Sequence, residues 1–338
     1  MNLYTWLIYR FLRTVFVLWG SITLIFFVFR IVPGDPARIV AGIQATPAQV
    51  AAIRQTMGLD KPLYTQYLIY IWQLLHGNLG FSWHTNRPVI QDLEIRFPAT
   101  VELAVVAILI TVAIGIPLGV YSATRKGGLL DQFSRAMSTL GIGIPLFWLG
   151  LLLTFFFFFK LHVFPAPLGQ ISIDQTPPKT LTGMVLIDSL LTRNWPDLKS
   201  SFELLILPSF TLSVGSTAIL LRMTRASMLE VMNSDFIMTA RSKGLPERTV
   251  VWKHAFRNAL IPIITIVGLI FAYLLGGAVM VEYIFSWPGI GKYVVDSVAA
   301  VDYAPVEGFV VLAALIFSII NFAVDVVYAF LDPRIKVS

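Results

Sequence analysis

The chain has 338 residues, of which 57% are hydrophobic and only 13% charged, against about 25% charged in soluble proteins. That balance excludes a disordered chain. With no cysteine and four scattered histidines (His76, His84, His162 and His254), a disulfide framework and a zinc or iron–sulfur site are not expected either. The expected class is an all-α membrane protein.

A membrane-crossing helix needs about 20 mostly apolar residues. In chain order the first such run is Phe11–Phe29. Arg10 and Arg13 flank its start as in a signal peptide, but its apolar core is long and Val32-Pro-Gly-Asp-Pro follows in place of a small-residue cleavage site, so it reads as a retained helix. Asp35, between Pro33 and Pro36, is expected to cap a turn. Next, Thr46 is placed to N-cap a short helix with Pro47 at its first position, ended by Gly58. Over Tyr64–His76, the residues Tyr67, Leu68, Ile71, Trp72 and Leu75 recur at helical spacing. That segment is too short to span, so it is expected to lie along the outer interface.

The second and third spans are expected at Val101–Tyr121 and Leu140–Phe159, followed by a proline-rich loop with little regular structure. The fourth, Leu204–Leu221, is short and contains Pro208 and Gly215; the fifth and sixth are expected at Ala259–Val281 and Gly308–Phe330. With both termini cytoplasmic, the inner segments carry a net charge of +9 and the outer ones −2, as the positive-inside rule requires. The expected organisation is therefore residues 1–30 as N-terminus and first helix, 31–98 as an outer segment, and 99–338 as a core of five helices. Within the core, the outer loops are 160–203 and 282–307. No basic face outside the membrane suggests nucleic-acid binding.

No nucleotide-binding loop, nucleophile elbow or zinc-protease motif occurs; Gly289-Ile-Gly-Lys-Tyr lacks both the length and the hydroxyl of a phosphate loop. Any energy must come from another polypeptide. The cytoplasmic loop 222–257 is far longer than a linker of about 2–8 residues between helices. In it, Ser234 or Asp235 can cap a helix over Phe236–Lys243, with Gly244 at its left-handed end. Pro246 and Glu247 can open a second short helix, closed by Lys253, His254 and Arg257. Phe236, Ile237 and Ala240 then form an apolar knob facing the cytosol, suited either to a partner groove or to a lipid surface.

Asp235-Phe-Ile-Met-Thr-Ala-Arg-Ser-Lys-Gly-Leu and His254-Ala-Phe-Arg-Asn-Ala-Leu-Ile-Pro resemble the EAA loop of ABC-importer permeases. Pro33-Gly-Asp-Pro, Met57-Gly-Leu-Asp-Lys-Pro, Arg96-Phe-Pro-Ala-Thr-Val-Glu-Leu, Leu181-Thr-Gly, Ile187-Asp, Arg222-Met-Thr-Arg-Ala-Ser-Met, Phe285-Ser-Trp-Pro-Gly-Ile-Gly and Asp332-Pro-Arg extend the likeness over nearly the whole chain. Together they resemble the dipeptide/oligopeptide permeases, and most of all the first permease subunit of dipeptide importers. Met238 and Thr239 replace the general Glu-Ala, which resembles the peptide-permease variant of that loop.

The resemblance implies a bacterial cytoplasmic-membrane subunit, paired with a second homologous permease and served by an extracytoplasmic peptide-binding protein. Two ATPase subunits would bind ATP and magnesium, and this chain would hold no cofactor. Asp235, Phe236, Ile237, Thr239, Ala240, Arg241, Lys243 and Gly244 would form the coupling helix seated in an ATPase groove. Nickel chelates, glutathione or other peptide-like solutes are alternative cargo; a secondary transporter independent of ATP is a further alternative, but lacks the expected repeats. Polar and aromatic residues that could line a path or outer gate are Glu102, Glu282, Phe285, Trp287, Asn321 and Asp325. Each also has a structural reading: interfacial carboxylates, belt aromatics, or a helix–helix hydrogen bond. Gly276 and Gly277 in the fifth span, and Gly141, Gly143 and Pro145 in the third, are candidate hinges, though small residues in spans more often mark close helix packing, the favoured reading.

Overall fold

The computed structural model describes residues 3–31, 36–41, 45–172 and 174–331. The Val32–Asp35 turn and the Asp332-Pro-Arg motif lie outside them. Among the described residues five helices are long and apolar enough to cross a membrane, or six if one bent pair counts as a single span.

Helix α1 (Leu3–Ile31) leads into the short α2 (Pro36–Ala41) and then α3 (Pro47–Thr56). Thr46 caps α3 as its spacing predicts: its hydroxyl accepts from Gln49 N while the Gln49 carbonyl accepts from Thr46 N, a reciprocal box that satisfies two end donors. Gly58 follows at φ +67°. Helix α4 (Leu63–Leu75) lays Tyr67 and Tyr70 on Phe26 of α1, and the Thr23 and Tyr67 hydroxyls meet at 2.7 Å. Its opposite face leaves Tyr64, Leu68, Trp72 and Leu75 exposed, the apolar and aromatic surface that suits a membrane boundary. A two-residue hairpin, β1 (Phe81–Ser82) and β2 (Arg87–Pro88), turns the chain into α5 (Val89–Thr124).

The third span differs from its expected form. Instead of one rod over Leu140–Phe159, α6 (Leu129–Gly143) and α7 (Leu146–Leu153, prolonged by a π turn over Thr154–Lys160) meet at 103°. Pro145 is the cause. It has no N–H to continue the helix, and it pushes Ile144 into extended backbone at ψ 122°.

Beyond the outer loop, which contains α8 (Val185–Leu191), runs α9 (Trp195–Met232). The expected short fourth span is thus a helix of 38 residues, and 67% of its apolar window is buried against 11% for α1. It lies parallel to α5, with Gly115 against Leu220 and Gly119 against Thr224; a Cβ on Gly119 would come within 2.6 Å of Thr224. Burial explains why Pro208 and the hydroxyls are tolerated there: neighbours pack around them, and the Thr211 and Ser213 hydroxyls donate back to Leu207 O and Phe210 O. Gly141 packs similarly against Ala218, whereas Gly143 and Gly276 have open space.

After α10 (Asp235–Ser242), α11 (Glu247–Thr249), a π turn (Val250–Ala255) and α12 (Phe256–Gly277) form one rod. The second short helix expected to close at Lys253, His254 and Arg257 does not close there. Nothing in that stretch removes a backbone donor, so the widened turn carries the helix straight into the fifth span. At the end of the bundle away from α10, α13 (Val279–Ile284) and α14 (Ile290–Ala299) form a helical hairpin before α15 (Tyr303–Leu331). Phe11 against Phe322 and Phe29 against Tyr303 set α15 antiparallel to α1.

Candidate functional site

The loop between α9 and α12 is a compact knob. Only Asn233 and Ser234 separate α9 from α10, so the helix axis turns with no slack. Lys243 ends α10, and Gly244 stands at φ +74°. Gly244 N bonds Arg241 O at 2.9 Å and Leu245 N reaches Ala240 O at 3.4 Å, the paired closure that a left-handed residue permits. The Arg241 guanidinium then forks onto the Glu247 carboxylate at 2.7 and 3.2 Å, fastening α10 to the foot of the fifth span.

The expected apolar face is divided by the fold. Ile237 and Ala240, expected to face the cytosol, are buried against the Val250 and Val251 cluster. Phe236 and Met238 remain about half exposed, at 46% and 55%. Thr239, Arg241 and Lys243 are exposed beside them, as is Asp235 at the helix start. A helix of eight residues attached at both ends needs an inward anchor, and residues three apart share the face that supplies it.

A second tie holds the upstream end. The Asp131 carboxylate at the start of α6 receives Arg225 of α9 in two bonds of 2.7 and 3.0 Å, along with the Ser122 hydroxyl and Gly127 N. The sequence places Arg225 in the Arg222-Met-Thr-Arg motif and Asp131 in the charge balance of the inner segments, without linking the two. The two partners are 94 residues apart, so no local pattern signals the pair.

At the end of the bundle away from α10, four of the candidate path residues are buried. Glu282 is 0% exposed and accepts from the Thr100 hydroxyl (2.6 Å), Gly291 N (2.7 Å) and Lys292 N (3.1 Å). Trp287 is buried with its indole N–H on Ala99 O at 2.8 Å, and the Phe285 ring fills the space beside Gly150. Glu102 is buried and takes Gln170 Nε2 at 2.8 Å and Leu186 N at 2.7 Å. In this conformation none of the four is open to a passing solute. Phe285-Ser-Trp-Pro-Gly-Ile-Gly ties the α13–α14 hairpin to α5, through the Trp287 indole on Ala99 O and Ile290 N on the Thr100 hydroxyl. Asn321 is half-buried on α15. The Asp325 side chain lies outside the described residues.

The motif residues Leu181-Thr-Gly and Asp188 form one unit. The Asp188 carboxylate accepts from the backbone of Leu181, Thr182 and Gly183 and from the Thr182 hydroxyl. Burial alone would push this carboxyl up, but those hydrogen bonds hold it below the usual aspartate range. A depressed pKa contributes stability above the unfolded value and loses it only as pH falls through the folded value. Protease cutting of residues 160–184 is therefore expected to stay unchanged from about pH 7 down to about pH 4, while Asp188→Asn opens the loop at neutral pH. Limited proteolysis across that range checks both.

The chain matches the model of the "Binding-protein-dependent transport system inner membrane component" over residues 115–337, and the corresponding N-terminal model over residues 3–104. It is 43% identical over 321 residues (95% of this chain, 94% of the relative) to the probable D,D-dipeptide transport system permease protein of Escherichia coli (strain K12). It is 37% identical over 327 residues to the dipeptide transport system permease protein of Alkalihalophilus pseudofirmus, covering 97% and 98% of the two chains. To the glutathione transport system permease protein of Pectobacterium atrosepticum it is 38% identical over 313 residues, covering 93% and 92%. The chain belongs to the inner-membrane components of binding-protein-dependent transport systems, the non-catalytic permease subunits of ABC importers.

Proposed function

We propose that this chain conducts short peptides into the cytoplasm as one of two homologous permeases, driven by two ATPase subunits that receive its α10 knob. The observation that carries the reading is the form of α10. It is an exposed helix joined to α9 through a two-residue turn and anchored by the buried Ile237 and Ala240, with the exposed Arg241–Glu247 pair linking it to α11 at the foot of the fifth span. Coupling requires an element that moves as a body, and α10 is tied to one span by two residues and to the next by a four-residue turn. Phe236 and Met238, flanked by Arg241 and Lys243, offer the half-apolar, basic surface that a groove with an acidic rim accepts. Peptide cargo follows from the names of relatives that align over nearly the whole chain. ATP and magnesium belong to the ATPases in this reading, and the cytoplasmic side of α10 follows from the charge balance of the loops.

Phe236→Asp combined with Met238→Asp is expected to abolish co-purification of the ATPases while leaving membrane insertion and thermal stability unchanged, because both side chains point outward. Ala240→Asp is expected to weaken the same association by a different route, burying a carboxylate among valines and loosening α10. ATP hydrolysis by the reconstituted complex, with binding protein and with or without a dipeptide mixture, checks the cargo. Stimulation that requires both supports the reading, and equal rates without peptide overturn it.

A further inference from the structure

We propose that the pocket under the outer segment is a receiving site for the free termini of a short peptide; this rests on the peptide reading above and deepens it. The pocket is walled by the link between α3 and α4, the inner face of α4, and the outer ends of α1 and α15. Its volume is about 520 Å³, within the roughly 300–1,000 Å³ of small-molecule sites. It lies apart from the residues sequence reasoning assigned to a path, and none of those lines it.

Three features give its chemistry. First, it holds charges of both signs. Arg30, Lys61 and Glu307 all line it; the Glu307 carboxylate lies 3.3 Å from Arg30 Nη1, and Gln66 Oε1 accepts from Arg30 Nε at 3.1 Å. An inorganic anion would be repelled by Glu307 and a simple cation by Arg30 and Lys61. A molecule with a carboxylate at one end and an ammonium at the other satisfies both. Second, Tyr70 lines the pocket, and its hydroxyl is buried with no hydrogen-bond partner among the described residues. A buried hydroxyl without a partner is costly, and a peptide carbonyl or amide would complete it. Third, an almost wholly apolar recess of about 340 Å³ adjoins it, sharing Met57 and Phe81 and closed by Trp83 and Tyr303. Charged termini beside an aromatic recess are the pattern of a peptide with an apolar side chain. A sugar would seek a ring of hydroxyl partners, and a metal would need a ligand cluster that the described residues do not form.

The test uses the paired permeases with their ATPases in nanodiscs, without binding protein. Competition against radiolabelled alanyl-phenylalanine is measured with the free peptide, its N-acetyl form, its C-terminal amide and inorganic phosphate. Free peptide is expected to bind saturably, with each blocked form at least about tenfold weaker, the loss of one charge-assisted contact. Glu307→Gln should erase the penalty for N-acetylation, and the exposed Lys61→Ala, which leaves the fold intact, should erase that for amidation. Saturable binding that ignores blocking or both substitutions overturns the site, as does displacement by phosphate at the same concentration as by peptide. Uptake measured with binding protein and ATP separates this from the function itself. Peptide uptake without binding here overturns the site alone, and binding without uptake overturns the import reading alone.

Discussion

Arg225→Ala is expected to lower the stability of the folded chain by about 3 kcal/mol, the low end of the range for removing one partner of a buried ion pair. The Asp131 side chain is 2% exposed and Arg225 20%, so the deletion strands a carboxylate that water reaches poorly. The Ser122 hydroxyl and Gly127 N would remain as donors, but neither brings a charge. Asp131→Ala should cost less, because the longer arginine can swing toward the cytoplasmic surface. The double variant Asp131→Asn with Arg225→Met should recover much of the loss, since the interaction lives in the pair. Thermal unfolding of the purified complex measures all three. Additive losses in the double variant would show that the two side chains act independently.

Glu282→Ala is expected to cost about 3 kcal/mol or more and to free the α13–α14 hairpin. Among the described residues the carboxylate is the acceptor for Gly291 N, Lys292 N and the Thr100 hydroxyl. The Thr100 oxygen in turn accepts from Ile290 N at 2.9 Å. Each buried donor left without a partner costs about 1–3 kcal/mol, and a void in the place of the side chain adds to that. The fit is close on the glycine side as well: a Cβ on Gly291 would stand 2.5 Å from the Val279 Cα, so Gly291→Ala should mimic part of the loss. Glu282→Gln keeps an acceptor oxygen and should fall between. Melting temperature together with the peptide concentration for half-maximal ATPase stimulation decides the role. A structural lock shifts the first, whereas a residue that met the peptide amine would shift the second at unchanged stability.

The parts of the molecule legible in the sequence are those set by neighbours along the chain. The Thr46–Pro47 helix start depends on a side chain reaching three residues ahead. The end of α10 depends on Gly244 occupying a backbone region closed to other residues except at a cost of about 1 kcal/mol. Five long spans follow from apolar runs of sufficient length. For Leu140–Phe159 the apolar run leaves open whether the span is straight or bent, because a proline within such a run can be tolerated or can break the helix, and packing selects between them.

The candidate site divides along the same line. The residues Asp235–Gly244 were found as a helix with a glycine end, but which of Phe236, Ile237 and Ala240 faced outward depended on where Val250 and Val251 came to lie. Glu102, Glu282 and Trp287 were visible as polar or amphipathic groups near a membrane boundary. Their partners, Leu186, Gly291 and Ala99, are between 9 and 188 residues away, so no local pattern could show that they were already satisfied.

By itself, the sequence determined the membrane class, the short capped helices, the charge asymmetry and the family, all of which rest on composition, local backbone geometry and motif order. Only the tertiary structure decided which carboxylates are locked, which face of α10 is free, and that opposite charges and an aromatic recess share one outer pocket. Those are properties of desolvation and of distances between residues far apart in the chain, and both arise only when the helices pack.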